Sequence, residues 1–215
     1  MTLPVPAAGE LAKAIQETAR FGSKALDLAR DVGGYFARVF GTLPDNIVGL
    51  LGADWIEYKR LENLAKLYKR AEAIREQLGT AGPQEVPLSL GLPLMRAAAD
   101  ENREELLDLW ARLLASAMDP VRSQFVRRSF VDIVQRLDPL DVRVFDASFD
   151  GADLSPSVAR FFAAHFKVNE DSVQVSLDNL NEVGLITYNP ANSNPHVWLT
   201  PKGREFKRAL PPKPG

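Results

Sequence analysis

The chain contains no cysteine, which excludes disulfide bonds, thiol catalysis and thiolate metal sites. It has only two histidines, His165 and His196, and their positions do not have a metal-ligand spacing, so the sequence predicts no metal site. A glycine-rich phosphate loop, a G-x-S-x-G segment and an H-E-x-x-H segment are also missing from the sequence. We therefore expect a protein without cofactor and without enzymatic activity, with a nuclease or hydrolase of unfamiliar pattern as the alternative.

The sequence also lacks an excess of one charge and any long apolar run. Its 26 lysines and arginines against 28 aspartates and glutamates give a net charge of −2, so no global field attracts nucleic acid or anionic lipid. The most apolar stretch, 32–53, is interrupted by Arg38, Pro44 and Asp45, so a spanning helix is not expected. The first residues do not have the pattern of a signal peptide. We expect a cytoplasmic protein, with a position at the membrane surface as the alternative.

What the chain does have is helical periodicity, which begins with an N-terminal helical region over 1–80. This region divides into a small-residue helix at 10–41 and a charged helix at 54–78 that Gly79 ends. In the first of these helices, small residues recur every four positions along one ridge: Ala25, Ala29, Gly33, Ala37 and Gly41. Such a ridge lets another helix approach closely. We predict a tight helix pair, with a membrane-acting segment over 10–53 as the alternative.

A linker rich in proline and glycine is predicted over 81–93, followed by a helical core over 94–137. The core begins with the clearest amphipathic pattern in the chain, which predicts one helix around a buried Trp110 that ends at Asp119-Pro120. Carboxylates crowd the start of this pattern and complement a helix N-terminus, with catalysis as the minority interpretation: Asp100, Glu101, Glu104, Glu105 and Asp108.

A shorter helix near 129–137 follows in the core, with Ser129 as its predicted N-cap. Just before it lies the densest basic cluster outside the charged helix: Arg122, Arg127 and Arg128. Solvation at the surface is the ordinary role of such arginines. The alternative is a site for an anionic ligand or an acidic protein partner.

Six elements over 138–211 follow in the order of a winged-helix domain. Asp138-Pro139 and Ser155-Pro156 begin two helices, and Asn169 caps a third. The short strands LITYN and HVWLT follow, and Thr200-Pro201 then begins a closing helix. The predicted fold class is therefore mainly α, with an N-terminal helical region, a helical core and a C-terminal winged-helix domain that contains a small two-stranded β-ribbon.

The third helix of this domain would lie in the major groove if the chain bound DNA. Between Glu170 and Gly184 it has no lysine or arginine but carries acidic residues: Glu170, Asp171, Asp178 and Glu182. Neutralisation of phosphates supplies most non-specific DNA affinity, so duplex DNA should be repelled. We predict that the exposed surface of this helix contacts protein instead, through Glu170, Gln174, Asp178 and Asn181.

Two segments of the chain resemble the bacterial abortive-infection alpha (Abi-alpha) family, and the resemblance covers roughly 45–146. The first segment corresponds to Leu92, Pro93, Leu94, Ala97, Ala98, Leu106, Leu109, Trp110, Ala111, Leu113, Leu114, Ala115 and Pro120. The second corresponds to Ser129, Phe130, Ile133, Leu137, Pro139, Leu140 and Asp141. The resemblance implies a cytoplasmic bacterial protein that defends against phage through death or dormancy of the infected cell, and it implies no established reaction.

These observations favour a non-enzymatic anti-phage defence protein that acts through protein–protein binding. Its winged-helix module would serve partner recognition or assembly, so a protein partner or self-association is expected. Two alternatives remain open at the level of sequence. One is a winged-helix transcription regulator that binds DNA, and the other is a membrane-acting effector that uses residues 10–53.

Overall fold

In a computed structural model of the chain, the described residues are 27, 31–35, 37–40, 55–79, 82–147, 158–188 and 197–212. Among these residues the chain is mainly helical and forms one small antiparallel sheet of two strands. The predicted mainly α class is confirmed, and so is the small β-ribbon.

The helices are, in chain order, α1 (Trp55–Leu78), α2 (Leu88–Ala99), α3 (Glu104–Ala117), the short 3-10 helix η1 (Ser123–Phe125), α4 (Arg128–Gln135), α5 (Pro139–Ala147), α6 (Val158–Phe166), α7 (Glu170–Glu182) and α8 (Pro201–Ala209). Residues 31–35 and 37–40 are also helical and are called the N-terminal segment. The strands are β1 (Ile186–Tyr188) and β2 (Val197–Leu199), and they pair with Thr187 opposite Trp198. Both predicted strands are thus confirmed at their central residues.

Helix α3 lies at the centre of the molecule, because it packs against α1, α2, α4, α5 and η1. Nearly every residue from Leu106 to Ala117 is buried, and Trp110 is 1% exposed. The prediction that Trp110 is a core residue is confirmed. Burial of this large ring contributes several kcal/mol, since truncation of a buried tryptophan to alanine costs about 3–5 kcal/mol.

The N-terminal segment packs onto this core through Tyr35. The Tyr35 hydroxyl donates to the Met118 sulfur at 3.6 Å, and its ring lies 4.1 Å from the ring of Tyr68. Burial raises the pKa of Tyr35 well above its ordinary value. The backbone of the segment also contributes, because the Val86 N–H donates to the Val39 carbonyl at 2.7 Å.

The predicted linker over 81–93 is wrong in its second half, since α2 already begins at Leu88. Pro93 lies inside α2, where it cannot donate to the carbonyl of Ser89 and where proline costs about 3 kcal/mol. The helix forms nevertheless, because Leu94 and Met95 are fully buried against the core. Tertiary packing therefore outweighs the local signal that predicted a linker.

The single long helix predicted from 94 onward is also wrong, because a turn at 100–103 separates α2 from α3. The Glu101 carboxylate accepts hydrogen bonds from the N–H groups of Asn102 at 3.1 Å and Arg103 at 2.9 Å. These N–H groups are the ones that a continuous helix would direct at carbonyls of the preceding turn. The side chain of Glu101 thus ends one helix and leads into the next.

Helix α4 begins one residue earlier than predicted. Its N-cap is Arg127, without a side-chain cap, so the prediction that Ser129 is the N-cap is wrong. No capping side chain accepts a backbone N–H at the start of α4. The helix is stabilised instead by the burial of Phe130, Val131, Ile133 and Val134.

Helix α8 packs onto the core through Phe206. The Phe206 ring meets the rings of Phe130 and Phe145 edge-on, at centroid distances of 5.1 and 5.5 Å. Buried Arg112 of α3 adds polar contacts, because it donates to the Pro211 carbonyl at 2.8 Å and to the Asp146 carboxylate at 3.1 Å. These contacts join residues on both sides of the boundary predicted at 137/138.

Candidate functional site

Helix α7 provides the first candidate surface. Its start is fixed by Asn169, whose side-chain oxygen accepts the Ser172 N–H at 2.6 Å, so the predicted cap is confirmed. Val173, Leu177 and Leu180 form the buried stripe of the helix. The opposite side is called the α7 face and consists of Glu170, Asp171, Gln174, Val175, Asp178, Asn181 and Glu182.

The residues predicted for the surface of this helix all belong to the α7 face. Glu170, Asp178 and Asn181 are exposed and Gln174 is half-buried. The face also contains Val175, which is 67% exposed. Sequence reasoning missed Val175, although its position between the buried Val173 and Leu177 would have predicted its exposure. An apolar residue within an acidic rim is an arrangement that suits a protein contact better than a phosphate backbone.

Two arginines from neighbouring elements lie next to the α7 face. Arg136 is 2.5 Å from Glu182, and Arg160 is 3.6 Å from Glu170. Within the face, the Gln174 side chain donates to the Asp178 carboxylate at 3.0 Å. Exposed ion pairs contribute about 0–1 kcal/mol, so these contacts orient the acidic side chains without fixing them rigidly.

The buried Asp141 of α5 anchors the side of α7 that faces the protein interior. The Asp141 carboxylate accepts the Asp138 N–H at 2.7 Å and the Asn179 side-chain amide at 2.5 Å, and it also bonds the Ser176 hydroxyl. The same Asn179 amide donates to the Arg136 carbonyl at 3.0 Å. Burial raises the pKa of Asp141 despite these hydrogen bonds. The α7 face is therefore presented on a helix that is anchored to α5.

A second, basic surface surrounds η1. It is called the η1 surface and consists of Val121, Arg122, Arg127, Arg128 and Arg208. Its arginines include the three predicted as a candidate anion- or partner-binding site, and the structure brings Arg208 of α8 to them. Arg208 lies over the Phe125 ring at 5.4 Å and 2.7 Å from Glu205, which is 4.0 Å from Arg127.

The η1 surface borders a carboxylate and includes one exposed apolar side chain. Arg122 lies 3.8 Å from Asp119, whose carboxylate also accepts the Val121 N–H at 2.8 Å. The Val121 side chain is 70% exposed beside these arginines. The sequence did not indicate that Arg208 would join this surface, because α8 is about 80 residues away along the chain and only tertiary packing brings it there.

The turn at 100–103 separates two polar clefts. One is about 430 Å³ and is lined in part by Glu101, Arg103 and Gln135, and the other is about 420 Å³ and is lined in part by Lys59, Asn63 and Lys66. Asp100 and Asn102 line both clefts.

The carboxylates around these clefts are ion-paired. Arg60 lies 2.5 Å from Asp100, and Arg70 pairs with Glu104. Burial acts to raise the pKa of Glu101, but hydrogen bonds and charge from Arg103 outweigh it and hold that pKa below its ordinary value. The pKa of Glu104 is also lowered, by Arg70. Carboxylates with a lowered pKa are unsuited to act as general acids at neutral pH. In the structure Glu101 pairs with Arg103 within the turn, whereas Asp100 and Glu104 pair with arginines of α1.

The small-residue ridge of the N-terminal region lies mostly outside the described residues: Ala25, Ala29 and Gly41 are in the part that the structure does not describe. Gly33 and Ala37 are described and half-buried. A Cβ atom added at Gly33 would meet no atom within 4 Å. The buried contacts of the described N-terminal segment are made instead by Val32, Tyr35, Val39 and Phe40.

The described residues were also expected to contain neither a metal site nor a membrane-spanning helix. His165 is exposed on α6 and stacks on Phe161 at a centroid distance of 6.2 Å, whereas His196 lies outside the described residues. Within the described ranges, no group of three or more histidine, aspartate or glutamate side chains is placed to hold a metal ion. None of the helices in the same ranges has the length and apolar character needed to cross a membrane.

The fold and these surfaces define a class of protein: mainly helical, with an acidic face and a basic surface presented on an anchored C-terminal half. A family model described as Abortive infection alpha matches residues 57–209. The chain belongs to the abortive infection alpha family, and the resemblance read from the sequence is confirmed. No curated protein matches the chain, and no solved structure matches it.

Proposed function

We propose that this protein is a non-enzymatic abortive-infection defence protein of the bacterial cytoplasm that acts by binding another protein through the α7 face. Its family supports the setting of defence. The observation that carries the mode of action is the α7 face itself, with an exposed valine inside an acidic rim on an anchored helix. Surfaces of this composition suit protein contacts, in which apolar residues are buried at the centre and charges lie at the rim.

The order of elements from α5 onward supports a winged-helix module as the carrier of this face. Helices α5, α6 and α7 are followed by an antiparallel β-ribbon and by α8, and α7 packs against both α5 and α6. In a winged-helix regulator the helix at the position of α7 enters the major groove. The acidic side chains of α7 oppose that use, so we assign the module to partner recognition.

Phage challenge of cells that express the protein tests this proposal. Asp178→Lys reverses one charge at the centre of the α7 face, and Glu76→Lys is the matched control at an exposed position on α1. Substitutions at exposed positions ordinarily change stability by less than about 0.5 kcal/mol, so both variants should fold. We expect protection to fall with Asp178→Lys and to persist with Glu76→Lys. Protection that is equal in both variants and the wild type would count against the α7 face.

A binding assay with labelled duplex DNA separates this proposal from transcription regulation. A regulator would show salt-sensitive duplex binding that persists near physiological ionic strength. We expect no retained complex at that ionic strength. A wild-type complex with duplex DNA that persists at that ionic strength would overturn the assignment to protein binding.

A further inference from the structure

We infer that the α7 face of one copy binds the η1 surface of a second copy, so that the chain associates with itself head to tail. This inference rests on the proposed function, because it names the partner of the same α7 face. It uses two different surfaces of one chain, which makes the contact heterologous and able to extend into a ring or a filament.

The charges of the two surfaces are complementary. The α7 face carries Glu170, Asp171, Asp178 and Glu182 and no lysine or arginine of its own. The η1 surface carries Arg122, Arg127, Arg128 and Arg208. Complementary potentials of this kind steer association and fix which surfaces meet.

The apolar residues of the two surfaces match as well. Val175 is 67% exposed in the α7 face, and Val121 is 70% exposed in the η1 surface. A single exposed valine needs no explanation. Here, however, Val175 lies among acidic side chains of α7 and Val121 directly precedes Arg122, so contact between the two surfaces would bury both valines while acidic side chains meet arginines.

Both surfaces are available in the same molecule because they belong to different elements. Helix α7 packs against α5, α6 and β1, whereas η1 packs against α3 and α8. Two carboxylates lie next to the arginines of the η1 surface, the partly exposed Glu205 near Arg127 and the buried Asp119 near Arg122. A nucleic-acid phosphate at this surface would meet the partly exposed Glu205 and would leave the α7 face unused. A second copy of the chain uses both surfaces.

The association should be weak and should respond to salt. Exposed ion pairs each contribute little, and the screening length falls to about 10 Å at 0.1 M salt. We therefore expect an equilibrium between monomers and larger species that shifts with protein concentration and reverts to monomer as ionic strength rises.

Sedimentation velocity of the full chain at low salt, over a series of concentrations, tests the inference with two charge-reversed variants. The acid-reversed variant is Asp178→Lys/Glu182→Lys, near the C-terminal end of α7, where lysine suits the helix dipole. The base-reversed variant is Arg127→Glu/Arg128→Glu, at the N-terminal end of α4, where glutamate suits it. Both should therefore fold, which thermal unfolding verifies, and Glu76→Lys is the control.

Each variant alone should lose self-association by about tenfold or more in its dissociation constant, because like charges then face each other. An equimolar mixture of the two variants should associate again, since lysines on one copy then meet glutamates on the other. The Glu76→Lys control should behave like the wild type. Recovery in the mixture is the decisive result, because loss of folding or of an unrelated partner would not produce it.

A wild type that stays monomeric at every concentration and at low salt would overturn the inference, and so would a mixture that does not associate. Binding of a labelled duplex that only the base-reversed variant loses, in a monomeric wild type, would assign the η1 surface to nucleic acid instead. Failure of the proposed function is distinguishable. If Asp178→Lys abolishes phage protection while the wild type is monomeric, the α7 face binds another protein and only self-association fails. If the wild type associates, the acid-reversed variant does not, and Asp178→Lys still protects cells, the proposed function fails and self-association stands.

Discussion

Two buried carboxylates show how single residues respond differently to similar burial. Asp141 and Glu101 are 2% and 9% exposed, respectively. Burial dominates at Asp141 and raises its pKa, since its partners are backbone and side-chain donors without charge. At Glu101 the guanidinium of Arg103 outweighs burial and lowers the pKa. The two residues should therefore give folding stability opposite dependences on pH.

Asp141→Asn tests the dependence of stability on pH that we expect from Asp141. Because the pKa of Asp141 is raised in the folded protein, its contribution to stability is complete below the ordinary value of 3.8 and is lost as pH rises through the folded pKa. Asparagine does not titrate. We expect the free energy of unfolding of the wild type, relative to Asp141→Asn, to decrease as pH rises above about 4. Urea unfolding of both proteins at a series of pH values measures this difference, and a difference independent of pH would contradict it.

Glu101→Gln should show the opposite slope. The lowered pKa of Glu101 means that its contribution is present above the ordinary value of 4.5 and is lost as pH falls through the folded pKa. The wild type should therefore lose its advantage over Glu101→Gln on acidification. The same urea series, extended to lower pH, checks this expectation. If both variants gave slopes of one sign, the assignment of causes at one of the two sites would be wrong.

Gly203 shows a steric requirement at a single residue. A Cβ atom at this position of α8 would lie 1.9 Å from the Leu185 carbonyl oxygen, which belongs to the backbone and cannot rotate away. The close approach is fixed by Thr200, whose hydroxyl donates to the Gly184 carbonyl at 2.6 Å and accepts the Gly203 N–H at 2.9 Å. The first turn of α8 is thereby held against the start of the β-ribbon.

Gly203→Ala should destabilise the protein by about 2–3 kcal/mol, as overpacking of a tight contact does. The clash outweighs the gain of about 1 kcal/mol that alanine gives over glycine inside a helix. Gly82→Ala is the control, because a Cβ atom there would meet no atom within 4 Å. Chemical denaturation of both variants measures the difference. A Gly203→Ala variant as stable as the control would show that α8 can move away from Leu185 at little cost.

Among the helices, the sequence correctly predicted those starting positions that a local capping residue determines. The caps Asn169 and Thr200 marked the starts of α7 and α8 correctly, since a capping side chain acts on the backbone within three residues. The start of α2 and the turn at 100–103 were not predicted. They depend on burial of Leu94 and on the hydrogen bonds of the Glu101 side chain, which only the tertiary structure supplies.

Asn169→Ala should weaken α7 at its N-terminus and cost about 1 kcal/mol of stability, because the Ser172 N–H loses its acceptor. Asn169→Asp should retain that stability, since a carboxylate accepts the same hydrogen bond and suits the positive end of the helix. Thermal unfolding of the two variants compares them directly. Equal losses in both would indicate that the cap contributes through its amide group and not through its acceptor oxygen.

For the molecule as a whole, the exposed charges of the candidate site were predictable and their arrangement was not. The sequence showed that α7 lacks cations, and it located Arg122, Arg127 and Arg128. It could not show that Arg208 joins those arginines, because their proximity depends on the packing of α8 against η1. Local periodicity shows which side chains of one helix are exposed. Which exposed side chains from different helices lie together depends on the tertiary structure.

Contacts across the predicted boundary at 137/138 lead to an expectation about cooperativity. Phe206 packs against both Phe130 and Phe145, and Arg112 bonds Asp146 and the Pro211 carbonyl. We expect the two sides to unfold together, so that denaturation followed by far-UV circular dichroism and by tryptophan fluorescence gives coincident transitions. Two separated midpoints would instead favour the division into a helical core and an independent C-terminal domain.

The placement of Met118 has a practical consequence. Its sulfur accepts the Tyr35 hydroxyl and its side chain is 0% exposed, while Met95 is 2% exposed. Peroxide converts methionine into the polar sulfoxide where the thioether is accessible. Both thioethers should resist this reagent while the core is closed. The rate at which mass spectrometry detects oxygen added to Met118 would report how often the N-terminal segment opens.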